Sequence, residues 1–243
     1  NFKFGIIAGS SSKWLIDAER IQTKYRPGMM QYEITDPVLK GAIIYLYVYA
    51  TAEVEGMIIK AEVLHAKQPI QLLWAYGGAT GRRFSRDGDI GADPESSFYL
   101  QPEYCKGNAY DIKENSFLLT YGAGADSLRK RISGVVPNAG IKMVDASKPE
   151  SPLSLWGSEV SATPAIAGTI PATDGSYYFL LTAGDRKGQQ TLSELFRKAE
   201  EARRKLAGRI QITTPDPYIN TLDAALSIAA DAIWENPTYM HGA

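Results

Sequence analysis

From Phe2 to about Leu181, short runs of β-branched and aromatic residues are repeatedly broken by Gly, Pro, Asn and Asp. That punctuation is the spacing expected of an antiparallel sandwich or barrel. The clearest strands are Ala42 to Ala50, Glu55 to Leu64, Pro69 to Tyr76, Ser116 to Tyr121, Ile141 to Val144, Ala165 to Ile170 and Tyr177 to Thr182. In the first of these, Tyr45, Tyr47 and Tyr49 alternate with Leu46 and Val48, so one face is aromatic and the other aliphatic. Each face is expected to meet a packing layer, as in a central strand. Between Ala165 and Thr182, the segment Pro171-Ala172-Thr173-Asp174-Gly175-Ser176 predicts a hairpin loop, with Asp174-Gly175 supplying the positive φ values. The interval from Gly77 to Tyr104, rich in Gly, Arg and Asp, predicts an extended loop system.

The pattern changes after Gly188. Thr191 and Glu194 form a capping box, and Leu192, Leu195, Phe196, Ala199, Ala202 and Leu206 recur at helical spacing until Gly208 stops the helix. Asp216 then caps a second helix with Pro217 in its first turn, and Ile219, Leu222, Leu226, Ala229 and Ile233 line one face until Pro237. A helix with that face and an alanine-rich flank needs helical neighbours, so either the β domain covers it or more protein follows. The expected division is a β-sandwich over residues 1–188, a linker helix over 189–212 and the start of a truncated helical domain over 213–243. The fold class expected is mainly β: an antiparallel sandwich, or the larger super-sandwich, followed by two α-helices that lead into an α/α domain.

The 243 residues, 44% hydrophobic and 22% charged, suffice for one large β domain or a domain plus part of another. Basic and acidic side chains nearly cancel, at a net charge of −1, which argues against a nucleic-acid partner because phosphates demand a basic face. Arg129, Lys130 and Arg131 read as a solvated strand edge. The single cysteine, Cys105, forms no internal disulfide, and with only His65 and His241 beside it no metal site of Cys/His spacing arises. His65 reads as a strand-terminal surface residue. The run Ala42 to Ala50 is about half the length of a membrane-spanning helix. The chain starts at Asn1 rather than Met, so any leader was removed or never included.

Candidate chemistry is sparse. Gly77-Gly78-Ala79-Thr80-Gly81-Arg82-Arg83 lacks the Gly-Lys-Ser/Thr ending of a nucleotide loop, and Tyr121-Gly122-Ala123-Gly124-Ala125 fails likewise. Asp87, Asp89 and Asp93 lie close in sequence, but Gly91 stands where an EF-hand wants a ligand, leaving solvated turn carboxylates or a weak cation site. Asp87 and Asp89 could also meet the carboxylate separation of glycoside hydrolysis. Trp74, Tyr76 and Trp156 could form a sugar-stacking platform or pack in the core. No cofactor is expected, and no catalytic residue is assigned.

The segment Thr213-Thr214-Pro215-Asp216-Pro217-Tyr218-Ile219-Asn220, followed by Ser227-Ile228-Ala229-Ala230, Trp234 and Tyr239-Met240-His241-Gly242-Ala243, resembles a domain junction of the six-hairpin glycosidase superfamily. It looks most like that of an uncharacterised Bacteroidetes family related to polysaccharide-degrading enzymes. In such proteins a β-sandwich comes first, one or two linker helices follow, and an (α/α)6 barrel carries the active site. The family-motif positions here are Asp216, Pro217, Tyr218, Asn220, Trp234 and His241. The resemblance implies an exported, periplasmic or surface-associated protein of polysaccharide utilisation, with its catalytic carboxylates beyond Ala243.

The resulting expectation is a non-catalytic sandwich and linker that supports the barrel of a glycoside-hydrolase-like parent and shapes its cleft. The glycan would be met through the parent, with Trp156, Arg82, Arg83, Asp87 and Asp89 as carbohydrate contacts and the downstream helical domain as packing partner. The alternatives are a carbohydrate-binding or scaffold module with no catalysis in the parent, and a small lyase or hydrolase site at Asp87 and Asp89.

Overall fold

A computed structural model describes residues 1–80, 100–122, 130–137, 140–184, 190–235 and 237–239. The first strands are β1 (Phe2–Ala8), β2 (Ser11–Trp14), β3 (Arg20–Arg26), β4 (Met29–Thr35), β5 (Ile43–Ala50), β6 (Gly56–Leu64) and β7 (Gln71–Tyr76). After a short helix α1 (Pro102–Cys105) come β8 (Ala109–Lys113), β9 (Ser116–Tyr121), β10 (Lys130–Val135) and β11 (Lys142–Asp145). A second short helix α2 (Pro152–Gly157) precedes β12 (Pro164–Pro171) and β13 (Gly175–Ala183). Helices α3 (Leu192–Ala207) and α4 (Pro217–Ala232) follow, and a two-stranded ribbon of β14 (Trp234–Glu235) and β15 (Thr238–Tyr239) ends the described chain.

The strands form two antiparallel sheets, a small one ordered β11-β12-β7-β1-β2 and a large one ordered β3-β4-β5-β6-β13-β10-β9-β8. Phe4, Ile6, Leu72, Trp74 and Ile166 of the small sheet meet Ile44, Ile59, Phe117, Leu119 and Phe179 of the large one in a continuous core. Burying such side chains contributes about 1.5–3 kcal/mol each, which makes this inter-sheet layer the main source of stability. On the outer face of the small sheet, Leu73, Ala75, Ala165 and Ala167 pack under Leu155 of α2 and Cys105 of α1. On the outer face of the large sheet, Tyr49, Ile58 and Leu180 pack under Phe196 and Ala199 of α3.

The predicted hairpin between β12 and β13 does not form, because its two strands belong to different sheets. β12 pairs with β7 and β11, whereas β13 pairs with β6 and β10. The link after Pro171 crosses between the layers, held by the Tyr177 hydroxyl, which donates to Pro171 O at 2.9 Å. Asp174 accepts the Ala66 N–H at 2.7 Å instead of shaping a hairpin turn. The basic cluster is also placed differently: Lys130 and Arg131 are exposed at the start of β10, which lies inside the large sheet between β13 and β9. Arg129 is outside the described residues.

β5 is central, as its alternation predicts, with Ile44, Leu46 and Val48 turned to the inter-sheet core. Its aromatic face is covered fully only at Tyr49; Tyr45 and Tyr47 remain half-buried. His65 is exposed at the end of β6 with φ of 61°, matching its reading as a strand-terminal residue.

Candidate functional site

A dense set of contacts lies where the sandwich hands over to its helices. The Thr191 hydroxyl accepts the Glu194 N–H and the Glu194 carboxylate accepts the Thr191 N–H, so the expected capping box starts α3. The Phe196 ring meets Tyr49 edge-on with centroids 5.2 Å apart, and Tyr178 at 5.7 Å, fixing the helix to the large sheet. Lys198 pairs with Glu53 of the β5–β6 turn at 2.8 Å. Towards its end α3 holds α4, through Arg203 and Asp231 at 3.3 Å.

The motif around Asp216 proves to be entry chemistry for α4. Asp216 Oδ1 accepts the Tyr218 N–H at 2.8 Å, and Pro217 occupies the first turn, where no amide donor is needed. Asn220 closes a loop upon Thr214: its Oδ1 accepts the Thr214 N–H at 2.7 Å, and its Nδ2 donates to Thr214 O at 2.9 Å. Asp223 accepts the Ile212 N–H at 2.8 Å. The helix therefore has a fixed entry, independent of what packs on it.

α4 rests on the remainder of the chain through Ser227 and Ile228, which are buried. The stripe predicted to seek helical neighbours is bare: Ile219, Leu222, Leu226 and Ile233 are 42%, 52%, 59% and 46% exposed, with Tyr218 at 81%. Below this stripe α4 ends at Ala232, ahead of the Pro237 stop that the sequence suggests, because the chain turns into the β14–β15 ribbon. There the Trp234 and Tyr239 rings meet edge-on at 4.8 Å, both largely exposed.

The carbohydrate candidates separate. Trp74 and Tyr76 are buried between the sheets, Trp74 lying parallel to Phe2 and Phe117, so neither belongs to a surface platform. Trp156 sits on the opposite side of the small sheet, half-buried within α2, with the Lys142 ammonium 4.3 Å from its ring centre. Arg82, Arg83, Asp87, Asp89 and Asp93 lie outside the described residues, as do Ala123 to Ala125 and His241. Among the described residues, no group of three or more His, Cys, Asp or Glu side chains is placed to hold a metal ion. Nor is any described helix long and apolar enough to cross a membrane.

Residues that single-chain reading did not pick out are Glu33 and Glu62, which flank Tyr45 from the two neighbouring strands. Their juxtaposition depends on strand register, for which the sequence carries no local signal.

These observations define an antiparallel β-sandwich followed by two longer α-helices. By sequence the chain belongs to the family described as "Domain of unknown function (DUF4450)", whose profile matches residues 1–202. No curated protein matches it. Among solved structures it is similar to a bacterial glucoamylase complexed with acarbose, at 14% identity and a TM-score of 0.46. That similarity covers 93% of this chain and 31% of the glucoamylase, so the chain spans less than a third of the protein it matches.

Proposed function

We propose that the chain is the N-terminal sandwich and linker of a larger glycoside-hydrolase-like protein, a supporting part without catalytic residues of its own. The observation that carries this reading is the bare apolar stripe of α4. Full burial of a Leu or Ile contributes about 1.5–3 kcal/mol, so four half-exposed side chains forgo several kcal/mol in the chain alone. A helix with so firm an entry and so apolar a free face is suited to pack against helices that continue the chain. The resemblance of Thr213 to Asn220, with Trp234, to a six-hairpin junction supplies the kind of domain, an α/α barrel acting on polysaccharide, and with it an exported location.

In this reading residues 1–188 form the sandwich, 189–212 the linker and 213–243 the first part of the helical domain. Arg82, Arg83, Asp87, Asp89 and Trp156 would serve the cleft of the parent. The test is to express the chain and its parent gene side by side on a panel of plant and host glycans, and to follow amide exchange of α4 in both. Expected are no turnover by the chain alone, turnover by the parent, and slower exchange along α4 in the parent. Turnover by the chain itself, or equal exchange of α4 in both, sinks the proposal.

A further inference from the structure

The outer face of the large sheet is built in rungs, because side chains opposite one another in an antiparallel ladder share a face. One rung is Met29, Tyr49, Ile58 and Leu180, and α3 covers it. The next is Gln31, Tyr47 and Lys60, and the one beyond is Glu33, Tyr45 and Glu62. Three strands about 4.8 Å apart give each rung a span of about 10 Å. The Tyr45 and Tyr47 rings lie nearly parallel, with centroids 6.3 Å apart and planes 21° apart. The Lys60 ammonium stands 4.5 Å from the Tyr47 ring centre.

Glu33 takes a hydrogen bond from the Tyr45 hydroxyl, whereas Glu62 is held only loosely. Glu62 is reached by Lys60 at 3.3 Å, the Tyr47 hydroxyl at 3.4 Å and the Ser176 hydroxyl at 3.4 Å. All three contacts are longer than the 2.7–2.9 Å or so of a good charge-assisted bond, so its lone pairs remain open to hydroxyl donors. Burial first, and then the Glu33 and Glu62 carboxylates, raises the Tyr45 phenol above its usual range, so it stays a protonated donor.

We propose that the open rung Glu33-Tyr45-Glu62, beside the partly covered Tyr47 and Lys60 of the neighbouring rung, binds a neutral oligosaccharide. The Tyr45 ring offers an apolar face on which sugar C–H groups stack, and the flanking Glu33 and Glu62 carboxylates take the hydroxyls. Protein interfaces lose Glu and Lys from their centres, whereas here every ring is flanked by them. Glu33 and Glu62 are matched by Lys60 and by Lys24, which faces Gln31 from β3, so the face has no cationic excess of the kind nucleic acid or a polyanionic glycan requires. Such a surface rests on the glycan-processing role proposed for the parent, but it names residues remote from Trp156 and from the bare stripe of α4.

The probes are maltoheptaose, cellohexaose, xylohexaose and mannohexaose, titrated calorimetrically into the intact 243-residue chain. At least one is expected to bind with a dissociation constant between about 1 µM and 1 mM. Tyr45→Ala and the near-isosteric Glu62→Gln should each weaken that binding by roughly tenfold or more, while Met143→Ala, at an exposed position of β11 on the small sheet, leaves it unchanged. Circular dichroism checks that each variant is folded. Absence of binding to all four sugars, a smaller loss in either variant, or loss in Met143→Ala overturns the proposal. These readouts come from the chain alone, whereas the supporting role is judged by turnover and exchange in the parent, so either can fail without the other.

Discussion

Gly134 lies directly beneath the ring of Phe117, its partner across the β9–β10 ladder, and a Cβ at position 134 would overlap three atoms of that ring. Phe117 cannot swing aside, because it is packed between Trp74, Tyr76 and Tyr110 in the inter-sheet core. Overpacking of this kind costs about 1–3 kcal/mol, so Gly134→Ala should lower the urea midpoint at unchanged slope. Gly168→Ala, whose Cβ would stand 2.7 Å from Trp74, should behave similarly. Gly157→Ala, with open space around it, is the control.

Asp145 joins the end of β11 to the segment after α2. Burial works against its ionised form but is outweighed by the Ser147 N–H and the Ser161, Thr163 and Ser147 hydroxyls, which hold its pKa at about 2. The Thr163 hydroxyl donates to it at 2.8 Å and the Ser147 N–H at 2.9 Å. Its folded pKa is below the unfolded value of about 3.9, so its stabilisation is present above that value and lost as pH falls through about 2. Asp145→Ala should cost about 1–3 kcal/mol at neutral pH. Thermal melts across the acid range check it: the gap between wild type and variant should be constant near neutrality and close between about pH 4 and pH 2.

How much of this was legible depended on whether the signal was local. The capping box of Thr191 and Glu194 and the Asp216-Pro217 start of α4 are written within a few residues and appear as read, whereas the alternation of Tyr45 to Tyr49 places β5 correctly but its aromatic face meets a full packing layer only at Tyr49. β3, by contrast, is a mostly exposed edge strand of polar and charged residues, so it offers no apolar alternation to detect. The sheet exchange between β12 and β13 was hidden for another reason. Both strands suit a hairpin locally, and only the pairing of β12 with β7 and of β13 with β6, distant in sequence, decides otherwise. The candidate sugar face suffers the same limit, since Glu33 and Glu62 join Tyr45 only once the registers of β4, β5 and β6 are known.

Cys105 is fully buried at the end of α1. Burial, opposed by a hydrogen bond from the Gly78 N–H, pushes its thiol up to about 11. At mildly alkaline pH the thiolate, which is the reactive form, is then about a thousandth of the population, and what exists is shielded. Iodoacetamide labelling followed by mass spectrometry should be negligible in the native chain and complete in concentrated guanidinium. Rapid native labelling would place the thiol at the surface.

Asn220 and Leu222 stand two residues apart on α4, yet their replacement should have opposite consequences. Asn220 makes three hydrogen bonds to Thr214, two with the backbone and one with the hydroxyl, so Asn220→Ala leaves the loop before α4 untied. A bonded polar group left without its partner costs about 1–3 kcal/mol when buried, and this site is part-buried, so the loss falls at the lower end. It should appear as faster amide exchange and proteolysis near Thr214, with the sandwich unaffected. Leu222 touches little in the chain alone, so Leu222→Gln should change the melting behaviour by no more than about 0.5 kcal/mol while reducing self-association at high concentration. In the larger protein proposed above, where further helices would pack on α4, the order should reverse: Leu222→Gln would place an amide in a packed apolar interface, and its cost should exceed that of Asn220→Ala.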